Sequence, residues 1–203
     1  LSKVAGVITT SAHTAQRLND YSVPATAIRV VEPGADTIAG IGAETRPSKA
    51  RGRTIHLLCV AHLSPRKAQH HLVDALSDLR DYSWHCTLAG SLDRDEHYAH
   101  ELRGIIVSLG LEHRISLAGE LDDTELASAY RKADVFVLPS VYEGYGMVID
   151  EAIAAGLPVI TTDGGALSTT GLRPGVRQYP AGDVAELRAC LEDWLSDPVA
   201  LGE

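Results

Sequence analysis

Positive charge is scarce in this sequence: 18 Lys and Arg stand against 27 Asp and Glu in 203 residues, a formal net charge of −9. That balance argues against an extended nucleic-acid footprint, because phosphate backbones are held by Lys and Arg clustered on one face. A small anionic ligand stays open, since one or two cations and a few backbone N–H groups suffice to hold it. Long apolar runs are also lacking, and none approaches the roughly 18 residues a membrane-spanning helix requires. With 45% hydrophobic and 22% charged residues, the composition is that of a soluble globular protein.

Cysteine is rare and odd in number. Cys59, Cys86 and Cys190 lie in apolar surroundings such as Leu57-Leu58-Cys59-Val60, which reads as reduced core thiols. Nine histidines are present, yet there is no His-Glu-x-x-His and no His/Cys pairing with structural-zinc spacing. His70 and His71 are neighbours on a predicted helix and are expected to point apart. No metal and no cofactor are expected. Internal repeats and low-complexity tracts are absent, which sets aside solenoid and disordered architectures. No secretory signal is visible, and the chain begins at Leu1 instead of Met. The expectation is a cytoplasmic protein with further sequence upstream.

What is present is a regular alternation. Residues 1–39 read as strand, helix, strand, over Val4 to Thr9, Ala12 to Leu18 and Ile28 to Val31, closed by Pro33-Gly34. Two strands do not form a stable sheet alone, so this segment reads as the trailing edge of a larger sheet upstream. Residues 40–53 are polar, without an apolar period, and read as a linker. In residues 54–203, strand candidates at Ile55 to Val60, Cys86 to Ala89, Ile115 to Leu117, Val135 to Leu138 and Val159-Ile160 are separated by apolar residues at helical spacing. The fold class that follows is α/β, a doubly wound parallel sheet of Rossmann-like type with helices on both faces. Ligands of such sheets sit beyond the carboxyl ends of the strands, where helix N-termini direct free N–H groups and positive dipole ends.

Three strand exits draw attention for that reason. The first strand empties into Ala61-His62-Leu63-Ser64-Pro65-Arg66-Lys67, with Pro65 suited to a helix start. Lys67 at a helix N-terminus is either a solvated surface lysine or a diphosphate contact. His62 is either a polar strand-end residue or a side chain facing the crevice. Gly90 and the Gly119-Glu120-Leu121 turn end the second and third strands, as plain turns or as places where backbone approaches a ligand. Asp163-Gly164-Gly165 repeats the theme, holding a phosphate on amides or turning the chain.

The most informative stretch is Pro139-Ser140-Val141-Tyr142-Glu143-Gly144-Tyr145-Gly146-Met147-Val148-Ile149-Asp150-Glu151-Ala152. Gly144 and Gly146 permit a tight turn whose N–H groups can approach a ligand with no Cβ in the way. A helix then runs from about Met147 through Ala155 and stops at Gly156-Leu157-Pro158. Glu143 lies at the mouth of that helix and Glu151 one turn or so inside it. Sugar hydroxyls are good donors to carboxylates so placed.

At these residues the sequence resembles the retaining GT-B glycosyltransferases often called family 4, and in particular their C-terminal donor-binding domain. The hallmark is two glutamates separated by seven residues, matched by Glu143 and Glu151. Leu138-Pro139-Ser140, Ala154-Ala155-Gly156-Leu157-Pro158 and Gly182-Asp183 follow the family's order of segments. The resemblance implies that Glu143 contacts the donor sugar, that Glu151 contacts the ribose, and that the Gly144, Tyr145, Gly146 and Met147 turn meets diphosphate and sugar. It assigns Lys67 to the phosphates; Gly90 and Leu121, from their places at strand exits, complete the candidate donor-binding set. His62 occupies a place where the family usually has arginine, exchanging a permanent charge for one that titrates near neutrality.

The implied activity is metal-free transfer of a hexose from a UDP- or GDP-sugar to an acceptor hydroxyl with retained configuration. The implied catalytic set is Glu143, Lys67 and His62, the last contributing when protonated. The implied partners are the nucleotide sugar, an unidentified acceptor, and the N-terminal domain of which residues 1–39 are the remainder. Peripheral membrane association of the full-length enzyme is compatible with this reading, and the fragment alone is expected to bind donor better than it turns it over. Rival readings are a sugar-nucleotide epimerase of the same plan and a non-catalytic nucleotide-binding regulatory domain. A nicotinamide oxidoreductase is disfavoured, since no Gly-x-Gly-x-x-Gly follows the first strand.

Overall fold

The structure, a computed structural model, describes residues 5–34 and 53–197. The expected linker therefore lies outside the described residues, apart from Arg53. The first part holds β1 (Val7–Thr9), α1 (Ala12–Asn19) and β2 (Ile28–Val30). β1 and β2 pair in parallel as their own two-stranded sheet. Ser11 caps α1 by accepting from the Thr14 amide at 3.1 Å.

The second part is a six-stranded sheet, parallel throughout. Its strands are β3 (Ile55–Val60), β4 (Trp84–Ala89), β5 (Ile115–Gly119), β6 (Val135–Leu138), β7 (Val159–Thr162) and β8 (Val176–Tyr179), in the order β5-β4-β3-β6-β7-β8. The connecting helices are α2 (Gln69–Ser77), α3 (Glu96–Ser108), α4 (Asp123–Lys132), α5 (Met147–Ala154), α6 (Leu167–Thr170) and α7 (Val184–Ser196). Chain order reverses between β3 and β6, which makes their carboxyl ends the topological switch point.

Sequence pattern explains the layers. Central strands such as Val135-Phe136-Val137-Leu138 are buried at every position, as a strand covered on both faces requires. Alternate residues feed two cores. Leu57, Cys59, Val137 and Ile160 pack with Leu72, Leu76, Leu102 and Leu191 on the α2, α3 and α7 side. Leu58, Phe136 and Leu138 pack with Tyr130, Ile149 and Ala152 on the α4 and α5 side. All three cysteines are free and buried, and burial lifts the Cys59 thiol to about 12.

Several expectations need correction. Pro65 opens a 3-10 turn, Pro65–Lys67, and α2 starts only at Gln69 after Ala68 turns left-handed at φ 51°, ψ 38°. Lys67 closes that turn just before the helix. The His70 and His71 rings do not diverge: their centroids lie 4.3 Å apart in the first turn of α2. β8 and α6 have no counterpart in the periodicity reading. Val176-Arg177-Gln178-Tyr179 is a partly exposed edge strand without an apolar run, and α6 spans barely one turn.

Candidate active site

Two loops meet beyond the switch point. The β3–α2 loop brings Arg66 and Lys67, and the β6–α5 loop brings Ser140 to Gly146. Their backbones are tied where the Val141 amide donates to the Arg66 carbonyl at 3.0 Å. The Arg66 guanidinium also donates to the Tyr142 carbonyl at 2.6 Å. Glu143 is only 6% exposed and receives the Lys67 ammonium in a short ion pair through Oε1. Arg66 stands 3.6 Å from its other oxygen, Oε2. One carboxylate therefore gathers two cations at the mouth of α5.

A third segment holds that carboxylate in place. The Ala166 amide donates to the Glu143 carbonyl at 2.8 Å, and the Glu143 amide donates to the Gly164 carbonyl at 3.3 Å. Approach this close requires glycine. A Cβ on Gly164 would lie 2.4 Å from the Val141 carbonyl oxygen, and one on Gly165, where φ is +66°, would lie 2.4 Å from the Glu143 carbonyl oxygen. Asp163-Gly164-Gly165 is thus the seat of the Glu143 loop. Thr162 Oγ1 completes it by donating to the Ser140 carbonyl at 2.5 Å.

α5 begins at Gly146 in a left-handed conformation, φ 92°, with no side chain capping it. Its first-turn amides and dipole are left to an anion at the helix mouth. Met147 is 56% exposed there. Tyr145 is turned inward, 8% exposed; its hydroxyl accepts from Arg173 at 3.3 Å and its carbonyl accepts from Thr170 at 2.7 Å. Arg173 also pairs with Asp150, which fixes α5 against the segment after α6.

Glu151 is half-buried on α5 and accepts from the Tyr130 hydroxyl at 2.8 Å. Tyr130 is fully buried in α4, and its ionisation is pushed far up by burial and then by Glu151, so it remains a donor. Nothing in the spacing of α4 beyond burial distinguished Tyr130 as this partner.

A cavity of about 340 Å³ lies beyond the ends of β3, β4 and β5, with His62, Lys67, Gly90, Arg94, Leu121 and Val148 in its wall. Four sequence candidates, His62, Lys67, Gly90 and Leu121, meet there. Glu143 joins through Lys67. Glu151 stands outside the wall, one helical turn beyond Val148 on the same side of α5. Gly90 also has a packing reason, for at φ +147° its Cβ would lie 2.1 Å from the Ala61 carbonyl oxygen. A larger groove of about 630 Å³ runs along the sheet face beside α4. Its strand residues, such as His56, His85 and Thr87, lie mid-strand, so the smaller cavity is the one placed for ligand chemistry.

His62 is held below the usual imidazole range, chiefly by burial and then by Lys67, Arg66 and Arg94. The unliganded site therefore favours its unprotonated form. Gln69, fully buried, donates to the His62 carbonyl at 3.1 Å and orients that loop. Among the described residues no group of three or more His, Cys, Asp or Glu is placed to hold a metal ion. No helix of the described residues is long and apolar enough to cross a membrane.

The family model for glycosyl transferases group 1 matches residues 42–201. The chain is 34% identical over 203 residues to glycogen synthase of Mycobacterium tuberculosis (strain ATCC 25618 / H37Rv), covering 96% of this chain and 46% of that protein. It is 30% identical over 211 residues to D-inositol 3-phosphate glycosyltransferase of Arthrobacter sp. (strain FB24), covering 97% and 48%. The chain thus spans about half the length of the curated relatives it matches. Among solved structures, Anabaena HepE in complex with UDP and glucose superimposes with a TM-score of 0.84 at 25% identity, covering 98% of this chain and 56% of that one. A glycosyltransferase from Rickettsia africae ESF-5 gives 0.83 at 21% identity, covering 97% and 55%. The α/β fold with its six-stranded parallel sheet is that of GT-B glycosyltransferases.

Proposed function

The chain belongs to the group 1 glycosyl transferases, and from that premise we propose that it is the donor-binding half of a retaining, family 4-type hexosyltransferase. It takes a nucleoside-diphosphate sugar and, with an acceptor-binding domain, passes the sugar to an acceptor hydroxyl. The observation that carries this reading is the Glu143–Lys67 ion pair at the uncapped start of α5. A carboxylate that orients sugar hydroxyls, an ammonium for the diphosphate and free helix amides all converge there.

The roles follow from placement. Lys67 and the Gly146–Met147 amides neutralise charge that develops on the departing diphosphate. Glu143 accepts from donor-sugar hydroxyls and releases part of its hold on Lys67 as the phosphates arrive. Glu151, oriented by Tyr130, accepts from the ribose. Neutral His62 donates or accepts one hydrogen bond at the crevice wall, and an incoming diphosphate raises its proton affinity. UDP is the favoured nucleotide because HepE, at 25% identity, is described in complex with UDP and glucose.

Residues 1–39 are assigned to the separate acceptor-binding domain. Their β1–β2 sheet is distinct from the six-stranded one, and Ile8 and Val31 are 74% and 57% exposed, surface that further strands would cover. The test is nucleotide release by the full-length protein from UDP-glucose and GDP-mannose, with the product anomer read by NMR. Glu143→Gln is expected to lower turnover about a hundredfold, in keeping with loss of a positioning contact to the reacting sugar. Inversion of configuration would overturn the retaining assignment. Undiminished turnover by Glu143→Gln would overturn the role of Glu143.

A further inference from the structure

Most of the basic groups in or beside the cavity wall are already engaged or uncharged. Lys67 is committed to Glu143, and Arg66 is divided between Glu143 and the Tyr142 carbonyl. His62 is neutral at pH 7. Arg94 differs from all three: it lines the same cavity from the β4–α3 loop, and no carboxylate pairs with it among the described residues. Its position within Asp93-Arg94-Asp95-Glu96 sharpens the point. Asp95 turns its carboxylate to cap α3, accepting from the Tyr98 amide at 3.0 Å. Of these four residues only Arg94 forms part of the wall.

The geometry points to Arg94 as a donor-binding residue that grips the diphosphate of the nucleotide from the β4–α3 loop, in the same cavity wall as Lys67. A guanidinium offers two parallel N–H donors matched to phosphate oxygens, and it stays charged at every working pH. In the same wall as the pinned Lys67, it supplies the fixed positive charge that His62 does not. Glu120 also lines this cavity. Its repulsion of an anion makes a second cation more useful there. Arg94 is part of the binding wall and acts through no other residue, so its effect should follow the number of phosphates on the ligand.

This inference rests on the donor-binding reading above, and the test separates the two. UDP, UMP and uridine are titrated by calorimetry into the full-length protein, into Arg94→Ala and Arg94→Lys, and into Arg103→Ala as an exposed control on α3. Arg94→Ala is expected to weaken UDP about tenfold or more, UMP less, and uridine by under about twofold, as loss of a charge-assisted contact predicts. Arg94→Lys falls between, since it keeps the charge but not the fork, and Arg103→Ala binds as wild type. Retained uridine binding also shows that the Ala variant is folded. Unchanged UDP affinity in Arg94→Ala, or equal weakening of UDP and uridine, overturns the assignment while leaving the donor-binding reading intact. If the wild-type protein binds neither UDP nor GDP, the donor-binding reading itself falls and Arg94 with it.

Discussion

Replacing Lys67 by methionine removes the ammonium from the Glu143 pair while keeping most of the side-chain volume. The two side chains are 11% and 9% exposed, so water screens them little. At a separation of about 3 Å and an effective dielectric constant of about 20, the gross attraction is about 5 kcal/mol. Desolvation offsets much of it, and removing one partner of such a pair costs about 3–5 kcal/mol where burial is complete. Arg66, 3.6 Å from the other carboxylate oxygen, retains part of the compensation. The expected destabilisation is therefore about 2 kcal/mol for Lys67→Met. Glu143→Gln should cost about 1 kcal/mol, since the freed lysine can carry its charge toward water. The double variant should be less destabilised than the sum, with a coupling of about 2 kcal/mol in the cycle. Urea unfolding followed by circular dichroism measures all four proteins. A cost below about 0.5 kcal/mol for Lys67→Met with no coupling would refute the pair as a structural element of the site.

Three further outcomes follow from the same geometry. His62, His71 and His85 are each held below the ordinary 6.5, with burial the first cause. The unfolded chain therefore binds more protons than the folded one just below pH 6.5, and stability should fall with acidification through that window and level off above it. Thermal unfolding between pH 5 and 8 checks this, and a stability that rises on acidification would contradict it. Tyr130→Phe leaves Glu151 without its 2.8 Å donor. It should cost about 1.5 kcal/mol and weaken nucleotide binding several-fold by calorimetry, whereas unaltered binding would detach Glu151 from the site. Gly164→Ala drives a Cβ to 2.4 Å from the Val141 carbonyl oxygen. A loss of at least about 2 kcal/mol is expected, with donor binding impaired; a neutral substitution would show that the 140–143 loop is not seated as described.

The sheet was legible because burial on both faces forces continuous apolar runs. Ile55 to Val60 and Val135 to Leu138 coincide with β3 and β6, and these two strands define the crevice. β8 was not legible, since an edge strand carrying Arg177 and Gln178 needs only one covered face. The start of α2 was misplaced because Ala68 adopts a left-handed conformation that side chains rarely take. That is a tertiary demand with no local signature.

At the site, Glu143 and Lys67 stood out by motif, but their mutual pairing did not, because 76 positions separate them and only the parallel sheet brings their loops together. Tyr130, the partner of Glu151, and Arg94 on the third loop carried no motif at all. Glycines were ambiguous for a related reason. Gly164 and Gly165 could have met phosphate or backbone, and the structure sets them against the Val141 and Glu143 carbonyls. Sequence pattern reports what each element buries, while the partner across the crevice depends on strand order.

The central claim is that the crevice beyond β3 and β6 binds a nucleoside diphosphate, and calorimetric titration of UDP and GDP into the protein tests it most directly. Lys67→Ala and Glu151→Ala are measured beside the wild type. The account predicts that one nucleotide binds, that each substitution weakens it by about tenfold, and that affinity is level from pH 7 to 8 but rises below about 6.5 as His62 takes up a proton. A folded protein that binds neither nucleotide, or binds one with both variants indistinguishable from wild type, would contradict it.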